Sequence, residues 1–136
     1  MTDLSQFHKL GTASLTDYYC ADSDILLVIP QSGMVDTPQL AREHVDYQNA
    51  YARALGKPCS TLVVLSNLLS QDAESRRIYG EMGGTGLYFA SALVVDNLLS
   101  RALGSFFIGL SKPRIPVKLF DTIEHGIAWL RSIRPV

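Results

Sequence analysis

Cysteine is scarce. Cys20 and Cys59 are the only two among 136 residues, too few for a disulfide framework or a structural zinc site. Charge of one sign is also missing: twelve Lys plus Arg stand against thirteen Asp plus Glu, for a net charge of −1. That balance excludes nucleic-acid binding driven by bulk electrostatics. No long hydrophobic run is present. The apolar stretch from Ala102 to Leu110 and the longer uncharged runs from Pro58 to Gln71 and Met82 to Val95 all fall short of the ~20 apolar residues a membrane span needs. Met1-Thr2-Asp3-Leu4 offers neither the basic start nor the apolar run of a signal peptide, so a cytoplasmic protein is expected. What remains is a chain with 47% hydrophobic and 18% charged residues, the composition of a compact globule. Its length fits one domain over residues 1–136, large enough to hold a core without staples.

Residues 1–12 carry no sustained period and read as an irregular lead-in. Ala13 to Cys20 is β-branched and aromatic, Ala21-Asp22-Ser23-Asp24 is a turn cluster, and Ile25 to Ile29 is a continuous apolar run ended by Pro30. This predicts a hairpin whose second strand is buried on both faces. Thr37-Pro38 opens a helix that runs to Gly56-Lys57-Pro58, with Ala41, Val45, Gln48, Ala52 and Leu55 on one face. Thr61 to Leu65 reads as a strand and Ser66 to Ser70 as a loop. A polar helix follows from Gln71 to about Met82, with Ser70 as its cap, broken by Gly83-Gly84-Thr85-Gly86. Ala90 to Val95 is strand-like, and a third helix is expected from Leu98 to Leu110. Val117 to Phe120 is a short strand. Asp121 and Glu124 have the spacing of a capping box for a last helix with Ile123, Ile127 and Leu130 on one side. The chain order is ββαβαβαβα: an α/β fold with a mixed sheet of about five strands, mostly parallel after its hairpin. About four helices cover it, mainly on one face.

That order is similar to the fold of STAS domains, the SpoIIAA-like class of anti-sigma-factor antagonists. A sharper match lies in Arg101 to Pro113, Pro116-Val117-Lys118-Leu119-Phe120 and Ala128-Trp129-Leu130. These segments resemble small bacterial STAS/SEC14-type proteins of unassigned function. The resemblance implies a regulatory module that works through contacts with a protein partner. In the antagonists, the loop after the third strand carries Asp-Ser-Ser-Gly, and a kinase phosphorylates a serine at the start of the next helix. On that pattern Ser66 matches the strand-end serine and Ser70 lies near the phospho-acceptor. The Ser-Ser-Gly triplet itself is absent, and Asp72 follows Ser70 instead of preceding it.

The residues offer little catalytic pattern. Ser70 reads either as a phospho-acceptor or anion site, where the helix dipole favours negative charge, or as a plain N-cap, the more general use of serine. Gly83-Gly84-Thr85-Gly86 lacks the lysine and the strand-to-helix setting of a phosphate loop. His8, His44 and His125 form no metal-ligand or metalloprotease spacing and read as surface or helix-flank residues. No Gly-x-Ser-x-Gly elbow is present. Cys59 reads as an inert core thiol, and Asp22 and Asp24 as turn residues. A non-enzymatic binding or regulatory module without cofactor or metal is expected. The alternatives are a carrier or sensor of an apolar small molecule or lipid and, behind it, a small hydrolase or transferase that pairs Ser70 with a histidine.

The third helix is the unusual feature. Between Leu98 and Leu110 it carries one charge, Arg101, whereas a helix covering a sheet normally keeps a polar outer face. Its apolar surplus calls for burial beneath the N-terminal residues or the last helix, a homodimer contact, or an apolar ligand, with Leu103, Phe106, Phe107 and Leu110 as the contact residues. For the homodimer, light scattering at micromolar concentration should give twice the monomer mass, and Phe107→Asp should shift the protein to monomer with its fold intact. A monomer at every concentration would overturn that expectation.

Overall fold

The computed structural model describes residues 3–98, 100–102, 104–105 and 114–136. A 3₁₀ turn at Leu4–Gln6 leads into β1 (His8–Ala13), β2 (Thr16–Asp22) and β3 (Ile25–Pro30), followed by a short β4 (Met34–Asp36) and α1 (Pro38–Leu55). Then come β5 (Cys59–Val64), a 3₁₀ turn, β6 (Leu68–Gln71), α2 (Ala73–Gly80), a further 3₁₀ turn at Glu81–Gly84 and β7 (Tyr88–Val94). Residues 98, 100–102 and 104–105 are helical and form the described part of α3. The chain closes with β8 (Val117–Phe120) and α4 (Ile123–Ile133).

The main sheet has six strands in the order β1-β2-β3-β5-β7-β8. β1, β2 and β3 pair antiparallel, and β3, β5, β7 and β8 pair parallel. β4 and β6 form a separate parallel pair. The sequence leads one to expect about five strands, and the additional strand of the main sheet is β1, inside the segment read as an irregular lead-in. Two features hide it. The register slips between Lys9 and Gly11, which breaks the alternation of an ordinary strand. Ser14 and Leu15 then turn the chain with φ of 52° and 61°, the left-handed pair of a tight hairpin, without the Asn-Gly or Asp-Gly that normally announces one.

Alternation along β3 divides the interior. Ile25, Leu27 and Ile29 pack with Leu62, Val64, Ala92 and Val94 under Ile123, Ile127 and Leu130 of α4. Leu26 and Val28 point to the other side, with Tyr18, Ala52 and Cys59 under α1. α2 lies against α1 through Ala41, Val45 and Ile78. In the described part of α3, Gly104 sits against Val95 and Leu119, side chains that belong to a cluster with Leu93 and Met34. Among the described residues the helices therefore gather mainly on one face, and α4 covers the other with Leu4 and Phe7 packed beside it. α4 comes close because residue 126 is glycine: a Cβ there would stand 2.7 Å from Leu62 Cδ1, tighter than packed carbons allow.

Helix ends follow local chemistry, with two shifts from the sequence reading. Thr37 caps α1 by accepting from Leu40 N, and Gly56 closes it with φ of 73°. α2 is capped not by Ser70 but by Asp72, whose carboxylate accepts from Ser75 N at 2.8 Å. A carboxylate at a helix start adds charge attraction to the hydrogen bond, and Ser66 to Ser70, read as a loop, instead runs through a 3₁₀ turn into β6. α4 is capped by Thr122, which accepts from His125 N at 3.1 Å. Asp121, the residue read as its cap, instead meets His125 Nδ1 at 2.8 Å.

Asp22 and Asp24 do more than turn the β2–β3 connection. Arg131 places Nε and Nη2 on the two oxygens of Asp22 at 2.9 and 3.0 Å, and Arg134 reaches Asp22 and Asp24. The clamp ties the end of α4 to the hairpin. Arg131, then Arg134, hold the Asp22 carboxyl down to about 2. Its contribution is therefore complete above ~4, the unfolded value, and is lost as pH falls toward about 2. Asp22→Asn should lower stability by about 1 kcal/mol at neutral pH. In urea titrations the gap to wild type should close between pH ~4 and ~2.

Candidate functional site

A cavity of about 100 Å³ lies between the sheet and the layer formed by α1, α2 and β4. Its sheet side is built by Thr16, Val28, Thr61, Val63, Ser91 and Leu93, and its far side by Met34, Asp36, His44, Gln48 and Tyr79. The α1 contribution follows from helical spacing: Ala41, His44, Val45, Gln48 and Ala52 are the buried residues of that helix. His44 and Gln48, four apart, share one stripe. β4 buries Met34 and Asp36 and turns Val35 outward, as strand alternation requires. The lining is mostly apolar, with a few polar side chains set into it.

Those polar side chains form a connected chain. The Tyr79 hydroxyl donates to Asp36 Oδ2 at 2.7 Å, and Gln71 Nε2 donates to the same oxygen at 2.9 Å. The Tyr79 oxygen lies 2.7 Å from His44 Nδ1. His44 Nε2 lies 2.7 Å from the carbonyl oxygen of Ser14, which can only accept, so Nε2 carries hydrogen. Nδ1 faces the Tyr79 hydroxyl, which links the ring to Asp36 in one continuous chain. Burial first, and Asp36 after it, push the Tyr79 phenol well above its ordinary range, so it remains a protonated bridge. His44 and Asp36 are 3% exposed, which is why each must find partners along this chain.

This arrangement corrects the reading of His44 as a surface or helix-flank residue. Its position on the buried stripe of α1, between Ala41 and Gln48, was the signal for burial. Thr16 Oγ1 stands 3.1 Å from Nε2, the distance of a nucleophile from its base. Nε2 has no lone pair to offer, because its hydrogen is held by Ser14, and Thr16 is not activated. Asp36 Oδ1 is the loose end: it is buried and has no hydrogen-bond partner.

The residues singled out from sequence lie elsewhere. Ser70 is exposed on β6, opposite Val35 of β4, and Ser66 is half-buried in the 3₁₀ turn before it. Exposed Val35 and Leu69 accompany Ser70 on the small parallel pair. Leu103, Phe106, Phe107 and Leu110 fall outside the described residues. Leu98, at the start of α3, is 88% exposed. His8 and His125 are exposed. Cys59 is fully buried, and burial pushes its thiol up to about 12, in keeping with an inert core residue. The Gly83-Gly84 turn lies under Arg114, whose Nη1 would be 2.9 Å from a Cβ at position 84. Among the described residues, no cluster of three or more His, Cys, Asp or Glu is placed to hold a metal ion, and no helix is long and apolar enough to cross a membrane.

Comparison with known proteins agrees with this architecture. Residues 18–134 match the family described as a domain of unknown function, DUF7793, and the chain belongs to that family. Among curated proteins none matches. A solved structure from Shewanella loihica PV-4, described as an uncharacterized DUF3478 protein with a SpoIIAA-like fold, superposes with a TM-score of 0.60. It shares 10% identity, over 96% of this chain and 98% of that one. The fold is therefore SpoIIAA-like, as its element order implies. The structure of apo-SiaC from Pseudomonas aeruginosa gives a TM-score of 0.49 and 16% identity, over 88% of this chain and 98% of that one.

The chain His44–Tyr79–Asp36 has a direct consequence for stability. Tyr79→Phe removes the bridging oxygen and leaves Nδ1 of His44 buried without its hydrogen-bond partner. Unfolding in urea should show a loss of about 1–3 kcal/mol. His125→Ala, at an exposed ring, should stay within about 0.5 kcal/mol of wild type.

Proposed function

We propose that this member of the DUF7793 family is a non-enzymatic binding and regulatory module of the cytoplasm that acts through protein–protein contacts. The observation that carries this reading is the exposed β4–β6 pair. Ser70 stands there open to solvent beside the exposed apolar side chains of Val35 and Leu69. Apolar groups next to a modifiable hydroxyl suit a partner surface that a phosphate can switch. Phosphorylation would add a charge of ~−2 to a patch that docking would otherwise desolvate. Ser66, half-buried in its turn, is the less accessible of the two serines. A second copy of the chain is the other partner we propose, with Leu103, Phe106, Phe107 and Leu110 as the contact residues. The exposure of Leu98 at the start of α3 supports it.

A hydrolase or transferase reading would need Ser70 to meet a histidine. Both ring nitrogens of His44 are engaged, by Tyr79 and Ser14, and His125 sits on Asp121; these engagements favour binding over catalysis. A second reading, a sensor of an apolar small molecule, is favoured by the cavity under α1 with its mostly apolar lining.

Incubation with ATP and lysate of the source cell, followed by phosphosite mapping, should find Ser70 modified. Ser70→Asp should change capture of the bound protein partner at least several-fold relative to Ser70→Ala. Modification confined to other serines, or equal capture by both variants, would remove the switch.

A further inference from the structure

Asp36 lines a cavity whose surroundings are otherwise largely apolar, and its Oδ1 is a buried acceptor without a hydrogen-bond partner. A carboxylate oxygen buried without a hydrogen bond is unfavourable by itself, and the rest of its carboxylate is already engaged by Tyr79 and Gln71. The neighbouring wall is made by Val28, Met34, Val63, Leu65, Leu68 and Leu93, none of which can donate. We infer that this cavity is a binding site for a small, uncharged, mainly apolar molecule that carries one hydroxyl or N–H group, and that this group donates to Asp36 Oδ1. The inference rests on the second reading above and names the chemistry of its ligand.

Three features fix that chemistry. The first is size. A cavity of about 100 Å³ is somewhat smaller than the ~150 Å³ apolar cavity known to take up benzene, so the occupant is a single ring or a short branched chain. The second is charge. Asp36 Oδ2 is already engaged by Tyr79 and Gln71, and the rest of the lining is mostly apolar. A cationic or anionic ligand would lose its hydration there with little to replace it, and an anion would also face the Asp36 oxygens. A neutral donor meets neither difficulty. The third is the opposite wall. The Thr61 and Ser91 hydroxyls share one hydrogen bond at 2.9 Å; one hydroxyl hydrogen of the two is not used in that bond and suits an oxygen on the ligand.

Phenol and toluene are the same size and shape and differ only in the donor, so they test the inference directly. Binding of each to the full chain, read by amide NMR shifts of residues around the cavity, should favour phenol by about tenfold or more. Asp36→Asn keeps the side-chain shape but can turn an amide N–H toward the ligand, and should bring the ratio close to one. Val63→Phe fills the space and should abolish binding of both. Equal affinities of phenol and toluene in the wild-type protein would overturn the inference about Asp36 while leaving an apolar ligand site. The same holds if protonated benzylamine binds better than phenol. Failure of all three probes to shift cavity resonances at millimolar concentration would overturn the ligand-sensor reading itself. The wild-type phenol-to-toluene ratio decides the matter even if Asp36→Asn does not fold.

Discussion

The imidazole of His44 stands between the carbonyl oxygen of Ser14, which can only accept, and the phenol of Tyr79, and the rest of the upper layer is arranged around that demand. Ser14, which supplies the carbonyl, belongs to a left-handed turn with φ of 52°, a conformation that disfavours residues with a side chain. α1 holds the turn twice, through His44 and through Glu43, which accepts from the Ser14 hydroxyl at 2.6 Å. The same ring reaches α2 through Tyr79 and, through it, β4 at Asp36. Gln71 then joins β6 to the network. The edge hairpin, two helices and the small parallel pair are thus fixed to one another by one buried hydrogen-bonded chain. Removing any member exposes a neighbour to an unsatisfied bond in a region that water reaches poorly.

The opposite face is held by different physics. α4 meets the sheet through aliphatic side chains and a glycine that lets Leu62 come close, and its end is tied down by the arginine clamp on Asp22 and Asp24. One face of the sheet is therefore dry and closely packed, while the other contains polar groups and a cavity. An α/β sheet with cover on both sides needs only one polar region to carry a site, and here it lies where α1, α2 and β4 meet.

Much of the sheet was legible because β3, β5 and β7 are apolar runs bounded by turn residues, and β8 sits between proline and aspartate punctuation. The helices were legible for the same reason: Thr37-Pro38 and Gly56 bound α1, and Ile123, Ile127 and Leu130 mark the buried face of α4. The failures have local causes. β1 has a register slip and a turn made of Ser14 and Leu15, so neither alternation nor turn chemistry marks it. β4 is three residues long, below the length at which a period can be read. Ser70 and Asp72 are both good caps by residue type, and only the pairing of β6 with β4 decides that Ser70 belongs to a strand. The cavity was illegible for a deeper reason: His44, Tyr79 and Asp36 are far apart in sequence, and no short motif connects them.

β4 places the two proposed sites back to back. Asp36 faces the cavity and Val35, its neighbour, faces solvent opposite Ser70, so one peptide unit separates the buried acceptor from the exposed patch. The pair β4–β6 forms no strand bond to the six-stranded sheet; it is located by the Asp36 bond to Tyr79, by the Asn67 Nδ2 bond to the carbonyl of Pro30 at 2.8 Å, and by packing of Met34 and Leu68. A body fixed by a few directional bonds has less restraint than a strand inside the sheet. Whatever engages Asp36 from the cavity side therefore acts on the element that carries Val35, and whatever docks on Val35 and Ser70 acts on the position of Asp36. Reciprocity between the two sites follows from that shared strand, because any free energy by which one occupant biases the strand is returned equally to the other.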